Sequence, residues 1–150
     1  MTRPAIATLW IGARLSFLEQ LCLKSFVDHG HRVTLYSYGP VDGVPHGVRI
    51  APADDILPAA EVHTHAASGS PAPHADLFRY RMLTRTDEVW VDADMLCMRP
   101  WEIGSRAVFG WEKPGRLVCN AVLRLPADSA ALSRLVAFCA DPHPCLLYTS

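Results

Sequence analysis

The feature that most constrains the fold is an apolar strand-like run followed by a helix signal and a second apolar run. Residues 5–11 form the first run, which ends at Gly12, and residues 32–38 form the second. Between them, Ser16 and Glu19 have the spacing of a capping box, the reciprocal hydrogen-bond pair that begins a helix. A strand, a helix and a second strand at this spacing form a βαβ unit, in which the crossover between parallel strands is almost always right-handed. We therefore expect the chain to begin as a parallel, doubly wound α/β sheet.

The predicted first helix has one apolar face and a glycine stop. Gly30 is placed as the residue that turns left-handed and ends the helix. The side chains expected on the buried face are Leu18, Leu21, Cys22, Ser25 and Phe26.

Further elements follow from the same local patterns. Residues 48–50 and 88–91 are predicted strands, as are 108–111 and 118–125, whereas 51–74 is expected to be loop with one helical turn. Asp76 is expected to cap a helix over 77–83, and Ser129 a last helix through Cys139.

Composition limits the classes of function. The chain has 150 residues, of which 50% are hydrophobic and 19% charged, which indicates one folded domain. A net charge of −1 gives no broad basic surface for nucleic acid. No apolar run reaches the roughly 18 residues that span a bilayer, and no signal-peptide pattern is present. Five scattered cysteines without a C-x-x-C pair are expected to be reduced thiols, so we expect a cytoplasmic protein.

The last six residues break with the rest of the chain. Residues 145–150, CLLYTS, match one reading frame of a common transposase adapter used in sequencing libraries. We interpret them as an adapter scar. The domain is then expected to occupy residues 1–144 and to be truncated at its C-terminal side.

The strongest candidate for chemistry is the pair Asp92 and Asp94, directly after an apolar strand. Alternate strand residues point to the same side, so both carboxylates are expected to face one spot. Two close carboxylates repel each other unless a cation lies between them. Oxygen ligands suit Mg²⁺ or Mn²⁺, which often share their site with substrate phosphates. The ends of strands in open α/β sheets are also where ligands bind.

A second candidate cluster precedes this pair. Asp76, Arg79 and Tyr80 have i, i+3, i+4 spacing and share one helix face. One interpretation is a surface ion pair with the tyrosine in the core. The alternative is that Arg79 binds phosphate or the paired carboxylate and that Asp76 binds a sugar hydroxyl.

These motifs, in this order, resemble the DXD-containing sugar transferases of the GT-A fold. The resemblance covers roughly residues 5–125 and is most specific between Asp76 and Asp94. It is strongest to the bacterial branch related to α-1,4-glycosyltransferases and initiating α-1,6-mannosyltransferases, which includes capsule and lipopolysaccharide enzymes. The family usually has a Gly-Gly pair before the DXD strand, whereas this chain has Thr86 and Asp87.

The resemblance implies a fold and a set of site residues. The fold would be GT-A, a Rossmann-like, mostly parallel sheet flanked by helices. Asp92 and Asp94 would hold Mn²⁺ or Mg²⁺ on the donor diphosphate. Arg79 would act with them in catalysis. The residues that would line the nucleotide-sugar site are Leu9, Trp10, Gly12, Asp76, Arg79, Tyr80 and Asn120, while Trp101 and Trp111 are candidates for stacking on sugar rings.

The implied function is transfer of a sugar from a nucleotide sugar, a UDP-sugar rather than a GDP-sugar, to a glycan or glycolipid. Retention of configuration and peripheral association with the inner face of a membrane would fit the family. One alternative is a catalytically inactive GT-A-like nucleotide-binding or scaffold module, and another is a structural α/β domain. A haloacid-dehalogenase-type phosphatase fits poorly, because Leu96 stands where that motif has Thr or Val.

Overall fold

The structure is a computed structural model that describes residues 2–61 and 72–140. The predicted adapter scar lies outside these residues. Along the chain the helices and strands are β1 (Ile6–Trp10), α1 (Phe17–Asp28), β2 (Val33–Ser37), β3 (Val48–Pro52), α2 (Ala72–Arg85), β4 (Val89–Val91), β5 (Val108–Lys113), β6 (Leu117–Arg124) and α3 (Ala130–Ala140).

One six-stranded mixed sheet, in the order β3-β2-β1-β4-β6-β5, organises the described residues. The strands β3, β2, β1 and β4 are parallel, whereas β6 runs antiparallel to β4 and β5 antiparallel to β6. The fold is therefore mixed α/β, as expected. From β1 the chain adds β2 and β3 on one side and then β4 on the other side. The point at which the strand order reverses, the topological switch point, therefore lies between β1 and β4.

The sheet separates two apolar cores. On one face, α1 and the segment after β4 cover a core that includes Ile6, Leu23, Phe26 and Val91. On the other face, α2 and α3 cover a second core, which contains Trp90 among its buried residues. Successive residues of β4 therefore point into different layers, as strand geometry requires.

Helix α1 confirms the predicted caps but corrects the predicted face. The capping box of Ser16 and Glu19 forms, and Gly30 follows the helix with a φ of 80°. Leu18 and Leu21 are 50% and 45% exposed, however, and the buried residues are Cys22, Leu23 and Phe26. The stripe that faces the sheet thus includes Leu23 in place of Leu21, and it does not extend into the first turn, where Leu18 lies.

Helix α2 begins earlier than predicted. It starts at Ala72, so Asp76 lies inside the helix and does not cap it. Pro73 is compatible with this start, because the first turn of a helix needs no donated backbone hydrogen bond from that position. Because Asp76 does not cap the helix, its carboxylate can contact other side chains at the site.

Among the described residues, no helix is both long enough and apolar enough to cross a membrane.

Candidate functional site

The predicted site residues lie at the carboxyl ends of β1 and β4, on either side of the switch point. Trp10 is the last residue of β1, and Asp92 follows the last residue of β4. These two strands are adjacent and parallel. A switch point opens a crevice at the carboxyl edge of a sheet, because the connections on its two sides leave in opposite directions. The topology therefore places both residues at the usual ligand-binding edge.

A buried arginine is the centre of this edge. The Arg79 side chain is only 7% exposed, and its Nη2 lies 3.1 Å from Oδ1 of Asp92 and 3.7 Å from Oδ1 of Asp76. Its Nη1 donates to the backbone carbonyl of Asn120 at 2.7 Å. Because its charged end is directed at protein atoms, Arg79 joins α2 to the end of β4 and to the middle of β6. Its charge also offsets the negative charge of the two carboxylates.

Trp90 is a site residue that the sequence analysis missed. Its indole Nε1 donates to Oδ1 of Asp92 at 2.8 Å, and the Arg79 guanidinium carbon lies 4.8 Å from the centre of its ring. The available signal was strand alternation, which puts Trp90 and Asp92 on one side of β4. A tryptophan in an apolar strand otherwise indicates only core packing.

Asn120 connects β6 to two residues of α2. Its side-chain nitrogen donates to Oδ1 of Asp76 at 3.3 Å and to the Tyr80 hydroxyl at 3.1 Å. Burial raises the pKa of the Tyr80 phenol, and burial together with the nearby Asp76 charge raises the pKa of the Cys139 thiol to about 11. Both groups are thus neutral near pH 7, and Cys139 is a poor nucleophile there.

The second carboxylate of the DXD pair does not join this network. Strand β4 ends at Val91, and the chain turns at once, with the Met95 amide donating to the Asp92 carbonyl at 3.1 Å. Asp92 contacts α2, whereas the charge of exposed Asp94 acts on Cys22 of α1, where burial chiefly raises the thiol pKa. The expected alternation does not extend beyond Asp92, because the chain turns at residues 93 and 94.

The carboxylates could supply only some of the oxygen ligands that a hard cation needs. The Asp92 side chain is 35% exposed, and no described residue donates a hydrogen bond to its Oδ2. Among the described residues, no three His, Cys, Asp or Glu side chains form a group that could hold a metal by themselves. Asp92 and Asp94 would thus leave most ligand positions to phosphate and water, as Mg²⁺ sites often do.

The residues predicted at the end of β1 make no described contact with the network, and Trp10 packs against the core on the α1 side. The Trp10 indole donates to the Arg14 carbonyl at 3.0 Å, and a Cβ added at Gly12 would lie 3.1 Å from that indole nitrogen. Gly12 therefore lets the chain pass closely over Trp10. Leu9 is buried in the core on the α2 side.

The two candidate stacking tryptophans have different surroundings. Trp101 packs edge-on against Phe26, with ring centres 5.1 Å apart, and is part of the core on the α1 side. Trp111 is 52% exposed beside Phe109, with ring centres 5.7 Å apart. Only Trp111 has an open surface on which a sugar ring could stack.

Comparison with known proteins finds no matching family model and no curated protein with significant similarity to this chain.

Proposed function

We propose that this chain is a metal-dependent glycosyltransferase domain with a GT-A, Rossmann-like fold, which transfers a sugar from a nucleotide sugar to a glycan or glycolipid. The observation that carries the proposal is the cluster of Asp76, Arg79, Asp92 and Asn120 at the switch point. These residues come from three different segments, α2, the end of β4 and β6, and they converge at the edge where an α/β sheet binds ligands.

The chemistry of the donor explains why such a cluster would be useful. Cleaving the bond between sugar and diphosphate leaves negative charge on the leaving group. A divalent ion, when bound, would neutralise that charge as a Lewis acid. Asp92 and Asp94 would hold this ion, and UDP is the favoured nucleotide.

The chain's own residues would set the site before the donor arrives. Arg79 holds the Asp92 carboxylate from the α2 side, and Asn120 holds Asp76 against Tyr80. A site held by buried, mutually bonded groups needs little reorganisation when charge develops, which is the basis of electrostatic catalysis. Asp76 and the β1 end, at Trp10 and Gly12, would contact the nucleotide and its sugar. Retention of configuration belongs to the proposal by resemblance.

An inactive nucleotide-binding or scaffold module is the second candidate. Two observations favour it: the Arg79 guanidinium is directed at protein groups, and Asp94 stands apart from the Asp92 network. Such a module would bind the nucleotide without transferring sugar.

The test is the melting temperature with UDP or GDP, each with and without Mn²⁺. We expect a rise of several degrees with UDP and Mn²⁺ together, because a ligand that prefers the folded state stabilises it. The double variant Asp92→Asn/Asp94→Asn should lose this rise. Asp128→Asn, an exposed carboxylate in the turn before α3, is the matched control and should keep it.

A folded wild-type protein that shows no metal-dependent shift with either nucleotide would contradict the donor site. A shift without sugar release from UDP-glucose, UDP-galactose or their N-acetyl forms would favour the inactive module.

A further inference from the structure

The two oxygens of the Asp92 carboxylate have unequal surroundings. Oδ1 lies 2.8 Å from the Trp90 indole nitrogen and 3.1 Å from Nη2 of Arg79. The indole donates a hydrogen bond to Oδ1 and the guanidinium forms an ion pair with the same oxygen, so both contacts fall on Oδ1. Oδ2 receives no hydrogen bond from the described residues, and the side chain is 35% exposed.

We infer that Trp90 is a positioning residue, which together with Arg79 fixes Oδ1 of Asp92 and presents only Oδ2 to a divalent cation. This inference rests on the proposed function. It makes Asp92 a one-oxygen ligand, so that the remaining coordination positions stay open to the diphosphate of the donor. A carboxylate free to rotate could place both oxygens on the cation and take one of those positions.

The surroundings of Trp90 support a rigid role. Trp90 is 2% exposed, and its ring also lies against Phe78, with centres 6.2 Å apart. The guanidinium of Arg79 lies over the same ring at 4.8 Å. One side chain thus orients both partners of the Asp92–Arg79 ion pair. Groups that orient a metal ligand in this way affect metal affinity about 10- to 100-fold when they are removed.

The test is Trp90→Phe, which keeps an aromatic ring beneath Arg79 but removes the indole N–H. The matched control is Trp101→Phe, which makes the same change in the core on the α1 side. We expect Mn²⁺ affinity in the presence of UDP, measured by electron paramagnetic resonance, to fall about tenfold in Trp90→Phe. It should stay within about twofold of wild type in Trp101→Phe.

A spectroscopic readout separates positioning from packing. In a ¹⁵N–¹H spectrum, the indole cross-peak that disappears in Trp90→Phe belongs to Trp90. We expect that peak to shift when Mg²⁺ and UDP are added to the wild-type protein, because the cation withdraws electrons from the carboxylate that accepts this hydrogen bond. A purely structural tryptophan on the far side of the core would show no such shift.

The outcomes are distinct. Wild-type affinity in Trp90→Phe, or a Trp90 indole peak that does not move, would overturn this inference while leaving the proposed function intact. Failure of the wild-type protein to bind Mn²⁺ with UDP would overturn both. Equal losses of Mn²⁺ affinity in the two tryptophan variants would also reject it, because replacing a tryptophan far from Asp92 would then lower the affinity just as much.

Discussion

At the scale of single residues, Arg79 has the most consequential environment in the molecule. Its side chain is almost completely buried, yet its charged guanidinium lies beside two carboxylates and donates a hydrogen bond to a backbone carbonyl. The energetic importance of such a group lies mainly in what its removal leaves behind. The negative charges of Asp76 and Asp92 would then lack their positive partner. Breaking a buried ion pair typically costs about 3–5 kcal/mol.

We therefore predict that Arg79→Ala lowers the free energy of unfolding by about 3 kcal/mol. The control is Arg14→Ala, since Arg14 pairs with Asp42 at 3.7 Å with side chains 77% and 75% exposed. An exposed pair of this kind contributes about 1 kcal/mol or less. Urea denaturation measures both values, and similar losses in the two variants would contradict the central role given to Arg79.

The sequence named the candidate residues but could not supply their contacts. Asp76, Arg79, Tyr80, Asp92 and Asn120 were all candidates, and the structure brings them into one network. The strand alternation expected to align Asp92 with Asp94 does not reach Asp94, because the chain turns after Asp92. Trp90 was missed since nothing in a local pattern distinguishes a core indole from one that bonds a carboxylate.

At the scale of elements, local signals account for where helices begin. At the start of α1, the Ser16 side chain accepts from the Glu19 amide, and the Ser16 amide donates to the Glu19 carboxylate at 2.8 Å. At the start of α3, the Ser129 hydroxyl accepts from the Leu132 amide at 3.3 Å. Both caps were predicted, because capping depends on residues within one turn of each other.

Removing either cap should weaken its helix. We predict that Ser16→Ala and Ser129→Ala each lower the free energy of unfolding by about 1 kcal/mol, because a helix-end amide loses its acceptor. Ser105→Ala, in the exposed loop before β5, should change it by less than about 0.5 kcal/mol. Chemical denaturation of the three variants is the measurement. A Ser105 effect as large as the other two would show that the caps are not the cause.

The start of α2 shows where local reasoning stopped. The sequence analysis expected loop as far as residue 74 and Asp76 as the cap, so the helix was expected only from Leu77. Tertiary packing favours the longer helix, because His74 and Leu77, which are residues of α2 itself, are both buried. This extension moves Asp76 from a cap into the site.

At the scale of the whole molecule, His31 joins three distant parts of the chain. Its Nδ1 is 2.9 Å from the Pro4 carbonyl, and its Nε2 accepts from the Trp101 amide at 3.1 Å. Its ring also packs edge-on against Phe26 of α1. The residue therefore ties the entry to β1 and the segment after β4 to the layer that α1 covers.

We predict that His31→Ala lowers the free energy of unfolding by about 2–3 kcal/mol, because it leaves a backbone carbonyl and a backbone amide without their partner. His46→Ala, at an exposed turn, should have an effect below about 0.5 kcal/mol. Thermal and urea denaturation would establish the difference. If His31→Ala melts like the wild type, the two backbone groups must find other partners at no cost.

The sequence by itself determined the strands β1 to β4, the caps of α1 and α3 and the position of Asp92 behind an apolar strand. Each of these depends on residues a few positions apart, so periodicity and capping chemistry suffice to find them. Only the tertiary structure decided that β6 lies antiparallel beside β4 and brings Asn120 to α2. It also decided that Asp92 pairs with Arg79 whereas Asp94 lies exposed in the turn after β4, since contacts between distant residues depend on the path of the chain, which local pattern does not specify.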